Sequence, residues 1–203
     1  MQTTHHLPPL IGLMGPAGAG KTTVANMLRE RHGYMVISLA DPLRDMLGAL
    51  LSGLGVGHEW MEDRELKERP IPIIGASYRK LAQTLGTEWG RQRIDPALWV
   101  RLCAHKIQEL RGTHQEAVVV HDVRFPNEAG MIRQAGGWVV RVNRQVDALP
   151  DGRSAHPSEQ WQATAPADFL ILNSGSLELL EDQVYRTAVK VQLADRNRQS
   201  QAA

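Results

Sequence analysis

Apolar residues fall into two patterns along this chain: short continuous runs, and longer stretches in which they recur every third or fourth position. The first pattern predicts buried strands and the second amphipathic helices. Leu10 to Met14 is a short apolar run, and Lys21 to Arg31 reads as a helix with Val24, Ala25 and Leu28 on one stripe. Gly33 ends that helix, and Tyr34 to Leu39 supplies a second strand, so the chain opens with a βαβ unit. Ala117 to His121, Trp138 to Val142 and Asp168 to Asn173 are further strands, with a short helix at Asn127 to Gln134. Leu177 to Ala194 is a long amphipathic helix with Leu180, Val184, Ala188 and Val191 facing in. Asp195 to Ala203 is polar and is expected to fray.

The stretch between the second and third strands has its own rhythm. Asp41-Pro42 reads as a helix start, an N-cap acceptor followed by proline at the first helical position. Leu43, Met46, Leu47, Leu50, Leu51 and Leu54 then recur at helical spacing, which predicts that most of them pack. His58 to Arg69 is highly charged and reads as a solvated face or connector, and the P-I-P-I-I-G run after it breaks any helix. Helical periodicity resumes from Ser77 with Leu81 and Leu85, and Arg79 and Gln83 share a face at i,i+4. Gly86 is expected to interrupt this helix before the cluster Thr87-Glu88-Trp89-Gly90-Arg91. Trp89 either stacks on a ring or covers the core, and residue type favours the core. Asp95-Pro96 opens another helix to about Leu110, with Leu98, Leu102 and Ile107 inward and Cys103 packing as a small apolar residue.

Composition narrows the class. The 203 residues suffice for one substantial core. A formal charge of +1, from 23 basic and 22 acidic side chains, gives no broad field for a nucleic-acid polymer. A single cysteine excludes an intrachain disulfide framework and suits a reducing cytoplasm. Met1 to Pro9 lacks the features of a secretory signal, and no apolar run is long enough to span a membrane.

The chemistry centres on Ile11 to Thr23, I-G-L-M-G-P-A-G-A-G-K-T-T, which fits G-x-x-x-x-G-K-[ST] at Gly15, Gly20, Lys21 and Thr22. Gly15, Gly18 and Gly20 let backbone amides approach a polyphosphate, with Ala17 and Ala19 between them. Lys21 reaches the β- and γ-phosphates, and the Thr22 hydroxyl is a candidate Mg²⁺ ligand. Thr23 completes the first turn of an anion-binding helix end. Asp122, at the end of a buried strand, stands where a Walker B carboxylate assists Mg²⁺, although pairing with Arg124 would also account for it. Asp41, just past another strand end, faces a ligand or only caps its helix. Gln145 to Ala167 shows little apolar periodicity and much turn chemistry, and carries Arg153 and His156 close behind Arg144. It reads as a lid that excludes water, or as an inert surface loop.

These runs, together with A-D-P-L-R at 40 to 44, R-K-L-A-Q-T-L-G-T-E-W-G-R at 79 to 91 and D-V-R-F-P-N-E at 122 to 128, carry a resemblance. So do G-G-W-V-V-R-V at 136 to 142, H-P-S-E at 156 to 159 and L-N-S-G-S-L-E-L-L at 172 to 180. The chain resembles the phage-type deoxynucleoside monophosphate kinases of the adenylate-kinase-like P-loop group. That resemblance implies a three-layer α/β/α fold around a five-stranded parallel sheet in the order 2-3-1-4-5. It also implies one kinase domain over residues 1–203, with a flexible leader (1–9), an acceptor-binding insertion (41–100), a lid (144–167) and a flexible tail (195–203).

The implied reaction moves the γ-phosphoryl of ATP to a deoxynucleoside monophosphate, with Mg²⁺ as cofactor. Lys21, Asp122, Arg124 and Arg144 would be catalytic, and Arg144, Asn173 and Gly175 would join the loop in binding ATP, the last two beside the adenine. Arg79 and Arg91 would grip the acceptor phosphate, with Asp41, Gln83, Glu88, Trp89 and Arg124 lining its site. Arg153 and His156 would act from the lid, and Thr22 and Asp122 would hold the metal. Neither a nucleic-acid polymer nor a membrane is expected as a partner, and a homodimer is left open. A cytoplasmic location is expected, the host's if the chain is phage-encoded. Two other readings share these residues: a P-loop kinase of the dephospho-coenzyme A kinase kind with Asp41 as base, and a nucleotide-binding ATPase switch.

Overall fold

The computed structural model describes residues 9–144, 161 and 164–201. Two compact units emerge, one formed by Met1–Ser38 with Ala104–Ala203 and the other by Leu39–Cys103.

The first unit is built on strands β1 (Leu10–Met14), β2 (Met35–Ile37), β3 (Val118–Val123), β4 (Trp138–Asn143) and β5 (Phe169–Leu172). All pairings are parallel and the strand order is β2-β3-β1-β4-β5, the expected topology. The central β1 is buried throughout and β3 over its first three residues, which suits the continuous apolar runs that parallel sheets demand. Helices α1 (Lys21–His32) and α7 (Leu177–Ser200) cover one face, where Val24, Leu28, Leu180, Val184 and Val191 meet Ile11, Leu13, Val140 and Ile171. Helix α6 (Pro126–Gln134) supplies the third layer, its Ile132 lying against β1 at Gly12, so the fold is the three-layer α/β/α arrangement.

The β1–β3 register contains one irregularity. Gly12 pairs with Val120 but Met14 pairs with Val123, so β3 carries one extra residue opposite Leu13. Such a bulge bends a strand and re-aims its side chains, here His121 and Asp122.

The second unit contains α2 (Asp41–Gly53), α3 (Glu59–Glu62), a 3₁₀ turn at Leu66–Glu68, and α4 (Tyr78–Gln83), which continues into a π-helix at Thr84–Ile94 before α5 (Leu98–Gln108) begins. Its core gathers Leu43, Leu47, Leu51, Ile71, Tyr78 and Trp99. The predicted stripe of α2 is therefore only partly used: Met46 and Leu50 remain exposed, because covering residues lie on the Leu47–Leu51 side. Asp41 is the first helical residue and does not cap, since the N-cap is Ala40 and no side chain caps it.

The structure departs from three further expectations. Gly86 does not interrupt the helix; the backbone widens to π geometry, and the Gly86 carbonyl accepts a 2.7 Å hydrogen bond from Trp99 Nε1. A Cβ at Gly90 would lie 2.5 Å from the Trp99 ring, so the glycine leaves room for that indole. Trp99, not Trp89, is the core tryptophan, and Trp89 stands 40% exposed. On α5, Leu102 faces solvent while Trp99, Cys103 and Ile107 are buried.

Helix α7 also runs beyond the predicted fraying point at Asp195. Asp195 is buried and its Oδ1 accepts from Trp138 Nε1 at 2.6 Å, while the Arg198 guanidinium lies 3.8 Å over the Trp138 ring and donates to the Gly136 carbonyl. Nearby charge matters as well: burial lowers the Arg111 pKa and the Asp195 carboxylate opposes that shift. Replacing Asp195 with Ala strips a buried carboxylate from an indole N–H and a buried guanidinium. The expected cost is about 2–4 kcal/mol of unfolding free energy, read from urea titration against the parent chain. A loss below about 0.5 kcal/mol, the usual size for surface changes, would mean that this helix end contributes little.

Candidate active site

The loop from β1 into α1 takes the shape that its glycines permit. Gly15, Gly18 and Gly20 all have positive φ, at 144°, 77° and 95°. A Cβ at Gly15 would also run into the Val142 carbonyl of β4, so both torsion and space require glycine there. The Ala19 amide closes the loop on the Pro16 carbonyl at 3.2 Å. Gly20 is the N-cap of α1 without a capping side chain, and no acidic residue lies in the first turn. The amides of Gly18, Gly20, Thr22 and Thr23 meet no acceptor among the described residues, and Ala17, Gly18, Thr22 and Thr23 are exposed. This combination of bare amides and the positive end of a helix dipole is an anion seat. Lys21 adds an ammonium that donates to the Gly15 and Pro16 carbonyls at 2.6 and 2.8 Å, so the cation is held over the loop itself.

Beside the loop, the β3 bulge presents Asp122. Its Oδ2 accepts a 2.6 Å hydrogen bond from the hydroxyl of Ser38, a buried residue just past β2. No group of three or more His, Cys, Asp or Glu side chains among the described residues could hold a metal. One carboxylate and one threonine hydroxyl instead fit a cation such as Mg²⁺, which takes few protein oxygens and shares the rest of its shell with phosphates and water. Arg124 follows, exposed, and its backbone amide is pinned by Glu128 Oε2 at 2.6 Å, with the Phe125 amide bonded to the same oxygen at 3.1 Å. Glu128 is buried, so the turn that carries Arg124 is held from within α6.

Arg144 lies exposed one residue past β4. Asn173, just past β5, donates from Nδ2 to the Ala19 carbonyl at 3.0 Å, so its side chain is engaged with the phosphate loop. Gly175 is exposed in the turn before α7. Arg153 and His156 lie outside the described residues.

In the second unit, Arg79 donates from Nε to Glu68 Oε1 at 2.5 Å. Glu88 accepts from the Thr84 hydroxyl at 3.3 Å and has Lys80 Nζ 3.7 Å away. Gln83 and Trp89 are exposed on the same α4–π segment, and Arg91 is half-buried. Asp41 pairs with Arg44 at 3.2 Å. It also lines a cavity of about 650 Å³ together with Arg44, Asp45, His58, Met61 and Lys67. Of the acceptor residues expected from the sequence, Asp41 borders this cavity, whereas Arg79, Gln83, Glu88, Trp89 and Arg91 are not among its walls.

The sequence reading missed Ser38, Glu128, Arg44 and Lys67. Arg44 stood in the A-D-P-L-R run, and Glu128 at the third position of a proline-led helix, where capping boxes place a glutamate. Ser38 and Lys67 gave no signal of their own.

Known proteins resemble this chain in sequence. The profile of the family described as deoxynucleotide monophosphate kinase matches residues 73–184. A protein of Acanthamoeba polyphaga mimivirus, provisionally named a deoxynucleotide monophosphate kinase, is 33% identical over 186 residues, covering 86% of this chain and 93% of its own length. The deoxynucleotide monophosphate kinase of Escherichia phage RB69 is 32% identical over 139 residues, which cover 66% of this chain and 56% of that protein. Among solved structures, a Mycobacterium tuberculosis APS kinase aligns over 92% of this chain and 97% of its own at 14% identity, with a TM-score of 0.49. With more than half of the chain matched by one family and a relative one-third identical across nearly its whole length, this phosphate-loop protein belongs to the deoxynucleotide monophosphate kinase family.

Proposed function

We propose that this chain transfers the γ-phosphoryl group of ATP to a deoxynucleoside monophosphate, giving ADP and the deoxynucleoside diphosphate. The observation that carries the reading is the division of cations between a phosphate loop in one unit, with Lys21, Arg124 and Arg144, and a second unit bearing Arg79, Arg91, Arg44 and Lys67. Two polyanionic substrates each need such a set, whereas hydrolysis needs only one.

An acceptor phosphate oxygen attacks the γ-phosphorus, forming a P–O bond as the bond to the β,γ-bridging oxygen breaks and ADP leaves with the electron pair. That acceptor oxygen is already ionised near neutral pH, so no strong base is required. Charge spreads over the transferring oxygens, and fixed donors act on it without reorganising. The Gly18, Gly20, Thr22 and Thr23 amides and the Lys21 ammonium would hold the β- and γ-phosphates, with Arg124 and Arg144 adding charge at the transfer point. Thr22 and Asp122 would hold Mg²⁺, which when bound neutralises and orients the phosphates. Arg79 and Arg91 would clamp the acceptor phosphate, and Asp41, Gln83, Glu88 and Trp89 would meet its sugar or base. Arg153 and His156 belong to the proposed lid over residues 144–167. Residues 41–100 are assigned as the acceptor insertion of a single kinase domain.

No described helix is long and apolar enough to cross a membrane. Cytoplasmic residence, of a host if the chain is phage-encoded, suits its single cysteine. The proposed working form needs neither a membrane nor a nucleic-acid polymer.

Replacing Lys21 with Met should lower turnover by roughly 10²-fold or more at saturating substrates, as loss of one preorganised donor does elsewhere. Near-normal turnover in a folded variant would remove Lys21 from the site. Changing Arg79 or Arg91 to Ala should raise the acceptor KM by about 10- to 100-fold, the worth of a charged hydrogen bond, and leave the ATP KM nearly unchanged. Equal losses for both substrates would make those arginines structural.

The reaction is tested by chromatography of nucleotides after incubation with ATP, Mg²⁺ and each common deoxynucleoside monophosphate. ADP and a matching diphosphate should form together, far faster than ADP forms with ATP alone. Phosphorylation of a pantothenate-derived hydroxyl compound in place of every nucleotide would overturn the reading, as would acceptor-independent ATP hydrolysis at full rate.

A further inference from the structure

We propose that Asn173 is a positioning residue of the phosphate loop, aiming the Gly20 amide at phosphate, and does not act by touching the nucleotide's ring. The inference rests on the reading of Gly15 to Thr23 as the donor-phosphate seat. Its geometric basis is the 3.0 Å hydrogen bond from Asn173 Nδ2 to the Ala19 carbonyl. In a planar trans peptide the carbonyl and the following N–H point in opposite directions. Fixing the Ala19 oxygen toward Asn173 therefore turns the Gly20 N–H away from Asn173. Gly20 sits at φ 95° as an N-cap with no capping side chain, and the loop's own bonds, Ala19 N–H to the Pro16 carbonyl and Val24 N–H to the Gly20 carbonyl, engage the peptides on either side of that plane.

The fit is close from both sides. Asn173 Nδ2 occupies the place where a Cβ on residue 20 would stand, which makes Gly20 and Asn173 a matched pair. Asn173 is itself anchored. Its amide donates to the Asn143 carbonyl at 2.7 Å, extending the β4–β5 ladder by one bond. One residue earlier, Gln183 of α7 bonds the Leu172 amide through Oε1 and the Leu172 carbonyl through Nε2, both at 2.7 Å. A rigid path thus runs from α7 through the end of β5 to the loop.

The test uses a ligand that has phosphates but no ring. Inorganic tripolyphosphate and ATP, each with Mg²⁺, are titrated by calorimetry into the parent chain, Asn173→Ala and Asn173→Asp, and each variant is checked by circular dichroism at the working temperature. Loss of the brace should weaken both ligands by the same factor, about tenfold for Ala and more for Asp, whose carboxylate cannot donate and repels the carbonyl. The acceptor KM should not change. A loss confined to ATP would assign Asn173 to the ring and overturn the proposal, as would unchanged binding of both ligands in both variants. Failure of the underlying reading looks different: tripolyphosphate would bind the parent chain and Lys21→Met equally well, or bind neither.

Discussion

The first unit is governed by one demand on its backbone: the chain must leave β1 and enter α1 while keeping several amides without acceptors among the described residues. Unpaired amides are costly when buried, so the loop keeps Gly18, Thr22 and Thr23 exposed, where solvent or an anion can serve them. Left-handed torsions at Gly18 and Gly20 make the turn, and the close approach of Val142 to Gly15 seats it against β4. Because β1 lies in the middle of the strand order, its loop emerges between the ends of β3 and β4. Asp122, Arg124 and Arg144 follow from those neighbours, as ligand groups collect at the carboxyl edge of an open parallel sheet.

Parallel pairing alone would not present Asp122. The extra residue in β3 shifts the register beyond Gly12, and the buried Ser38 hydroxyl then holds the carboxylate by one oxygen. Glu128 does similar work for the next turn, taking both the Arg124 and Phe125 amides. The Asp122 carboxylate and the turn that carries Arg124 are thus supported by groups from β2's end and from α6.

The second unit solves a different packing problem. Its core must accept the Trp99 indole, and the π-helix at Thr84–Ile94 provides for it through Gly90, which leaves space, and the Gly86 carbonyl, which receives the indole N–H. π segments are uncommon and often mark functional sites. This one carries Glu88, Trp89 and Arg91, with Trp89 turned outward. The acidic partner of Arg79, Glu68, lies on an exposed turn, where a salt bridge is worth little.

Much of this was legible in the linear chain. Continuous apolar runs identified the strands, the 3.6-residue stripes identified α1 and α7, and the glycine pattern before Lys21 and Thr22 anticipated the positive-φ loop into α1, because each depends on residues adjacent in sequence. What the tertiary structure decided were the choices that depend on distant partners. Ser38 and Asp122 are 84 residues apart, and Asn173 and Ala19 are 154 apart. Trp89 and Trp99 carry the same side chain, and the space left at Gly90 and the acceptor offered by the Gly86 carbonyl accommodate Trp99 as the buried one. The polar end of α7 reads locally as a fraying terminus, yet Trp138, which meets Asp195 and Arg198, keeps it helical. Periodicity records which face of an element is apolar, whereas the partner that face or a lone polar group meets is set by three-dimensional packing.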